Sequence, residues 1–451
     1  MREGPGAPAE REVAVSPNES QIQFEADTYR KVTRRLMPFL FLCYLLAFVD
    51  RVNVGFAKLQ MQAQLNLTDT VFGFGAGIFF IGYFFFEVPA NMLLRKLGAR
   101  RWIGPIMIVW GFVSASTLFV RGAHSFYAVR LLLGVVESGF FPGVILYLTF
   151  WYTRKHRAKM VAVFMSAIPL SSVVASPISG WILKRMSGVG GLMPWQWLFL
   201  VEGIPSVIMG AVTLYYLPDS PLKAHWLKPA ERDLVLRRLD EEEDVKKRAG
   251  EGQHRMWDAF ANPRVWLMCA IYFGINMVSY GLTFWLPQVV KDTLTSDPQN
   301  IGWILVIPWG AAAIALPLAG RHSDATGERR WHTALPILVA SVALAVSAIP
   351  GISGAAGLAA LTVAAMTYMC TNALFWSLPT SLLSGAAAAA GIALINSVGN
   401  LAGFVSPYLV GFIRDTTHSM FVALLMLSAA ALCAGLITLY VAPRGSNPPV
   451  R

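Results

Sequence analysis

Charge is scarce in this chain. Asp, Glu, Lys and Arg make up 14% of its 451 residues and hydrophobic residues 55%, a balance that an aqueous globular fold cannot solubilise. Cysteine is scarcer still. Cys43, Cys269, Cys370 and Cys433 lie far apart in apolar runs without metal-ligand spacing, which predicts small buried hydrophobes and neither disulfides nor a metal centre. The seven histidines fall in loops or tails, so no haem or histidine-metal constellation is expected, and no cofactor is implied. A leader peptide is missing as well: the first 29 residues are polar, carry Pro5, Pro8 and Pro17 and have no apolar core, which predicts a disordered tail. No Ser/His/Asp set or phosphate-binding glycine loop supports a membrane enzyme or receptor.

Long apolar runs are abundant. Windows near 37–57, 71–94, 102–121, 126–150, 158–183 and 196–217 are followed, after a charged stretch, by 264–290, 301–320, 333–350, 357–383, 388–413 and 419–442. At about 1.5 Å of rise per residue each can cross roughly 30 Å of hydrocarbon. The expected fold is an all-α membrane protein of twelve spans. Its parts are a tail (1–36), a six-helix bundle (37–217), a linker (218–263), a second six-helix bundle (264–442) and a short tail (443–451).

The 37 Lys and Arg exceed the 26 Asp and Glu, an excess that could suit nucleic acid. Their placement argues for a bilayer instead. Arg30-Lys31-Arg34-Arg35, Arg95-Lys96-Arg100-Arg101, Arg154-Lys155-Arg157-Lys159 and Arg321-Arg329-Arg330 all flank loops on one side, while the opposite connections carry one or two each: Lys58, Arg121, Lys184 with Arg185, Lys291 and Arg414. Positive loops resist translocation, so both termini are expected in the cytoplasm. The linker, with its Asp240-Glu241-Glu242-Glu243-Asp244 run, reads as a solvated amphipathic helix joining two halves, or as a docking site for a partner.

Two loops at equivalent places are alike. Asn91-Met-Leu-Leu-Arg-Lys-Leu-Gly98-Ala-Arg100-Arg101 follows span two, and Gly320-Arg-His-Ser-Asp324-Ala-Thr-Gly327-Glu-Arg329-Arg330 follows span eight. Glycine suits so tight a turn, and the arginines can reach helix C-termini or a carboxylate on a neighbouring helix, forming a cytoplasmic gate. The second copy resembles the major facilitator signature; the first departs at Asn91 and Arg95. Further strings are similar to the anion:cation symporter branch, which includes bacterial permeases for galactonate, glucarate, tartrate, phthalate and hydroxyphenylacetate. They are Phe48-Val-Asp50-Arg51-Val-Asn53, Tyr83-Phe-Phe-Phe-Glu87-Val-Pro89-Ala-Asn91, Arg130-Leu-Leu-Leu-Gly134-Val-Val-Glu137-Ser-Gly-Phe-Phe-Pro142-Gly143 and Trp197-Leu-Phe-Leu-Val-Glu202-Gly-Ile-Pro205. The resemblance implies two pseudo-symmetric bundles, alternating access, a monomer in a bacterial inner membrane, and import of a small organic anion with protons. Anion exchange or efflux on the same fold is the alternative.

Ionisable residues inside a span cost at least about 2.5–3.5 kcal/mol on insertion scales. Spans seven to twelve hold none in their interiors; span one holds Asp50 and Arg51, and span four holds Arg130 and Glu137 seven residues apart on one face. Depth along the helices lets Asp50 and Arg130 meet, with Glu137 nearer the midplane. Such a set suits a proton-coupled anion site, because arginine pairs carboxylate bidentately and a neighbouring acid can be neutralised by a proton. A structural ion-pair network is the alternative. The resemblance implies that Arg51 holds the substrate carboxylate, that Asp50 and Glu137 carry protons and that Arg130 exchanges partners. Tyr83, Asn276, Tyr280, Asn372, Trp376, Asn396 and Asn400 offer neutral groups at similar depth, suited to hydroxyls and to an apolar face, or to interhelical packing. Glu87 and Glu202, each beside a proline, are read as packing or hydrogen-bonded structure.

Overall fold

The computed structural model describes residues 19–248, 261–382 and 385–442. Among them are twelve helices long and apolar enough to cross a membrane. Spans one to six are Ser20–Gln64, Asp69–Leu94, Ala99–Phe119, Ala123–Thr149, His156–Arg185 and Pro194–Tyr216. Spans seven to twelve are Pro263–Thr293, Pro298–Thr326, Arg330–Ser347, Gly354–Thr380, Gly391–Thr417 and Met420–Val441. Each expected window overlaps one of these helices, with ends differing by a few residues outside span one.

Span one differs most, because its helix continues back to Glu19 through the stretch expected as tail. The extension has polar partners beyond the apolar window. Lys31 pairs with Glu231 at 2.6 Å and Arg238 with Glu25 at 2.6 Å, both acting between the extension and the linker helix Pro229–Arg248. Residues 1–18, 249–260 and 443–451 of the expected tails and linker lie outside the described residues.

Packing repeats with a shift of six spans. Span three lies on six as nine lies on twelve, and two on four as eight on ten. Across the halves, two packs on eleven as eight packs on five, while one meets seven. This is the arrangement of two pseudo-symmetric six-helix bundles. Spans five and eight cross through Gly180 and Gly302, where a Cβ on either would strike the other helix's backbone. Small residues let membrane helices approach closely, since packing and not water exclusion holds them together.

Several spans are interrupted. Span four breaks after Glu137 and resumes at Phe140, five breaks at Ser166, ten at Trp376 and eleven after Asn400. In span four the break is covered, because the Trp102 indole donates to the Gly139 carbonyl at 3.1 Å. Freed backbone groups inside a membrane need such partners. Glu137, Trp376 and Asn400 thus sit at loosened turns.

Three cysteines are buried as expected, but Cys433 is exposed on the outer face of span twelve. No group of His, Cys, Asp and Glu able to hold a metal occurs among the described residues.

Candidate substrate and coupling site

Asp50 and Arg51 are neighbours on one helix, so their side chains diverge by about a quarter turn. Arg51 faces the second half of the chain. Its guanidinium pairs with Glu137 of span four and lies over the rings of Phe48, Phe79 and Tyr83 at 4.7, 5.2 and 5.7 Å. Arg130, two turns from Glu137, lies over Phe79 at 5.1 Å and donates to the Ala76 carbonyl at 3.2 Å. Phe79 therefore lies against both guanidinium groups. Aromatic faces stabilise such cations without neutralising them.

The cationic pair is under-satisfied. Arg51 Nε, Arg130 Nε and Nη1, and Glu137 Oε2 are buried without a hydrogen-bond partner. A buried donor left unpaired is costly, and these donors point to an anionic partner for the site.

Asp50 departs from expectation. It does not meet Arg130; its carboxylate accepts from Trp110 Nε1 at 2.8 Å, Ser114 Oγ at 2.9 Å and Ser206 Oγ at 2.7 Å, on spans three and six. The helical register that aims Arg51 at the interface turns Asp50 into its own bundle. Glu202 stands nearby, accepting from Ser179 Oγ at 2.7 Å.

From the second half, Tyr280 places its ring 4.3 Å from Phe80 and its hydroxyl 3.5 Å from Asn400 Oδ1. Asn276 donates to the Gly399 carbonyl at 3.1 Å, inside the second bundle. Trp376 packs edge-on to Tyr272, 4.8 Å between centroids. Asn396 reaches across the halves to Glu87 at 3.4 Å, so Glu87 is hydrogen-bonded as expected, but across the interface. Tyr83 is buried beside Arg51.

The gate loops turn at Gly98 and Gly327, with φ of +83° and +67°, where glycine avoids the Cβ clash. Gly320 does not turn; it lies inside the helix that runs to Thr326. Arg330 donates to the Leu439 carbonyl at 2.7 and 3.1 Å, capping span twelve. Asp324 is bonded by Arg329 of its own loop at 2.7 Å, instead of by a neighbouring helix. Arg100 is half-buried and Arg101 exposed at the start of span three; the side chains of Asn91 and Arg95 lie outside the described residues.

A second charged assembly was not anticipated. At the end of the bundles opposite the linker, buried Lys58 pairs with Asp69 at 2.8 Å, and Arg414 pairs with Asp69 at 3.4 Å and Asp292 at 2.9 Å. Lys58 also donates to Gln62 and, across the halves, to Gln288. Asp415 of span eleven accepts from the backbone N–H groups of Asp69 and Thr70 at 3.0 and 2.7 Å, so a carboxylate from one half caps a helix N-terminus of the other. The sequence puts Lys58 and Arg414 among the charges of the connections, which hides their pairing with Asp69 and Asp292.

Comparison with known proteins follows this geometry. A putative tartrate transporter from Agrobacterium vitis is 47% identical over 415 residues, covering 92% of this chain and 94% of that protein. A quinolone resistance transporter from Acinetobacter baumannii is 39% identical, covering 93% and 96%. The inward open conformation of the xylose transporter XylE from E. coli superposes with a TM-score of 0.72 at 15% identity, over 90% of this chain and 96% of that one. The family model of the Major Facilitator Superfamily matches residues 40–407, and with it the twelve spans, their six-span repeat and the arginine-lined centre place this chain as a member of that superfamily.

Proposed function

We propose that this transporter imports a small carboxylate, such as a sugar acid, hydroxy-dicarboxylate or aromatic acid, together with protons. One observation carries the reading: Arg51 and Arg130, clustered around Phe79, retain buried unpaired N–H donors, and the acid bound to one of them, Glu137, is a removable partner. When Glu137 is an anion it occupies Arg51. Protonation releases the guanidinium to a substrate carboxylate, which it can grip with two parallel hydrogen bonds. Binding of proton and anion then support one another, as symport requires. Tyr280, Asn400 and Trp376 supply hydroxyl-bonding and apolar surfaces opposite.

The name of the Agrobacterium vitis relative supports an organic acid as substrate. The Acinetobacter baumannii relative's name supports efflux as a second reading; the fixed cationic centre favours an anion over a neutral or cationic drug. The basic residues on the linker side support cytoplasmic termini in a bacterial inner membrane, which makes the Lys58–Asp69–Arg414 assembly the outer gate. The halves 37–217 and 264–442 would rock about the site, in a protein that works as a monomer.

A thermal-shift screen of the purified protein against tartrate, galactonate, phthalate and related acids tests the substrate class. A ligand that binds only the folded state raises the melting temperature. Stabilisation by at least one acid, stronger at lower pH, is expected; stabilisation by quinolones alone would favour efflux.

A further inference from the structure

Glu202 is the buried acid that the Arg51–Glu137 chemistry leaves idle. It is 4% exposed, on span six, and among the described residues no ion pair reaches it. Ser179 of span five donates to Oε1, while Oε2 has no hydrogen-bond partner. Asn53 of span one is fully buried beside Glu202, and neither of its amide atoms has a partner at full hydrogen-bond geometry. The helical register connects this pocket to Asp50. Asn53 lies one turn beyond Asp50, and Ser206 one turn beyond Glu202 while donating to Asp50 at 2.7 Å.

The groups around the two acids are neutral: Trp110 and Ser114 from span three, Ser179 from five, Ser206 from six and Asn53 from one. The charged groups within electrostatic reach, Arg130 and Glu137, belong to span four; Arg130 is drawn to Ala76 and Phe79, and Glu137 to Arg51. Two carboxylates in one dry pocket, whose nearest cation, Arg130, is drawn elsewhere, repel strongly, and a single shared proton removes that cost. Asp50 receives three donors, as an anion does. A protonated Glu202 would supply the missing contact by donating from Oε2 to Asn53 Oδ1, satisfying two orphaned atoms at once.

We propose that Glu202 is a further proton-carrying residue, sharing one proton with Asp50 across spans one and six. Transfer breaks the O–H bond on Glu202 and forms one on Asp50, so the pair keeps one negative charge throughout. Protonating Asp50 weakens its hold on Trp110 and Ser114 and loosens span three from span one. The inference rests on the proton-symport reading for its role in transport, but not for the existence of the shared proton.

Infrared difference spectra of the full-length protein in lipid, titrated with pH and without substrate, test the pair directly. The wild type should show a protonated carboxyl band that Glu202→Gln removes and whose titration midpoint Asp50→Asn displaces. Glu202→Asp guards against misfolding: it should keep a carboxyl band at a changed frequency, still coupled to Asp50. A Glu202→Gln spectrum that titrates like wild type would overturn the proposal, as would a band whose midpoint ignores Asp50→Asn. If Glu202→Gln does not fold, a Glu202→Asp spectrum identical to wild type overturns it equally. A parallel assay follows proton uptake driven by tartrate in proteoliposomes. Its failure in the wild type would count against symport of tartrate and leave the infrared result standing.

Discussion

Arg51 and Glu137 form an ion pair between spans one and four, and Asp50, one residue away and about a quarter turn around its helix, faces Trp110, Ser114 and Ser206 instead. The two proton candidates are therefore inequivalent: one competes with substrate for an arginine, the other is held by neutral donors.

Replacing Glu137 with Gln should free Arg51 permanently. Affinity for the acid found by thermal shift, measured by calorimetry at neutral pH, should rise several-fold and lose most of its pH dependence, while accumulation against a gradient is lost. Unchanged affinity with an unchanged pH profile would remove Glu137 from competition for Arg51.

Arg51→Lys should weaken binding of the same acid by about tenfold or more, roughly 1.4 kcal/mol, despite the conserved charge. Lysine cannot reproduce the planar fork and stacks less well over Phe48 and Phe79. Wild-type affinity in this variant would place the carboxylate elsewhere.

The second half should govern selectivity. Trp376→Phe and Asn400→Ala should reorder the accepted acids and leave the pH profile of residual uptake in place. Asn396→Ala should behave differently because Asn396 bonds Glu87 across the interface, and its loss should also move the pH profile. Uptake of several acids against pH, in all three variants, separates these outcomes.

Asp69→Asn should open the end of the bundles opposite the linker. Asp69 pairs with both Lys58 and Arg414, and removing one partner of a buried pair leaves uncompensated charge, costing roughly 3–5 kcal/mol. Spin labels at Thr68 and Thr416 should report longer distances in the variant. An unchanged distribution would mean that helix packing alone closes this end.

At the opposite end, burial raises the Glu231 carboxyl, but the Lys31 hydrogen bond, the Lys228 backbone N–H and both lysine charges outweigh it, leaving its pKa below the usual value. A depressed acid stabilises the docked state above its unfolded pKa, and that contribution disappears as pH falls through the folded value. The linker helix should therefore stay docked on span one at neutral pH and loosen only in strong acid. Hydrogen exchange of residues 229–244 checks this, with Glu231→Gln showing the loosened pattern already at neutral pH.

Much of this was legible in the sequence because hydrocarbon thickness dictates span length, and apolar windows follow from it directly. The choice between Asp50 and Arg51 was not: depth along a helix says nothing about azimuth, and only packing against spans three and six decides which neighbour faces the interface. The expected end of span eight is 320, yet the helix carries on to Thr326 and turns at Gly327. Lys58, Asp69 and Arg414 were hidden by their positions at span ends, where charge is ordinary; their pairing emerges only once spans one, two and eleven are brought together. The Glu87–Asn396 contact links residues 309 positions apart, beyond any local pattern.

The most direct measurement is accumulation, in proteoliposomes under an imposed inward proton gradient, of whichever acid stabilises the folded protein most, with internal pH followed by a trapped dye. The account predicts that the wild type accumulates this acid and acidifies the lumen in step with it, and that Glu137→Gln exchanges it across the membrane without accumulation or acidification. Accumulation by Glu137→Gln equal to wild type, or wild-type uptake indifferent to the proton gradient, would contradict it.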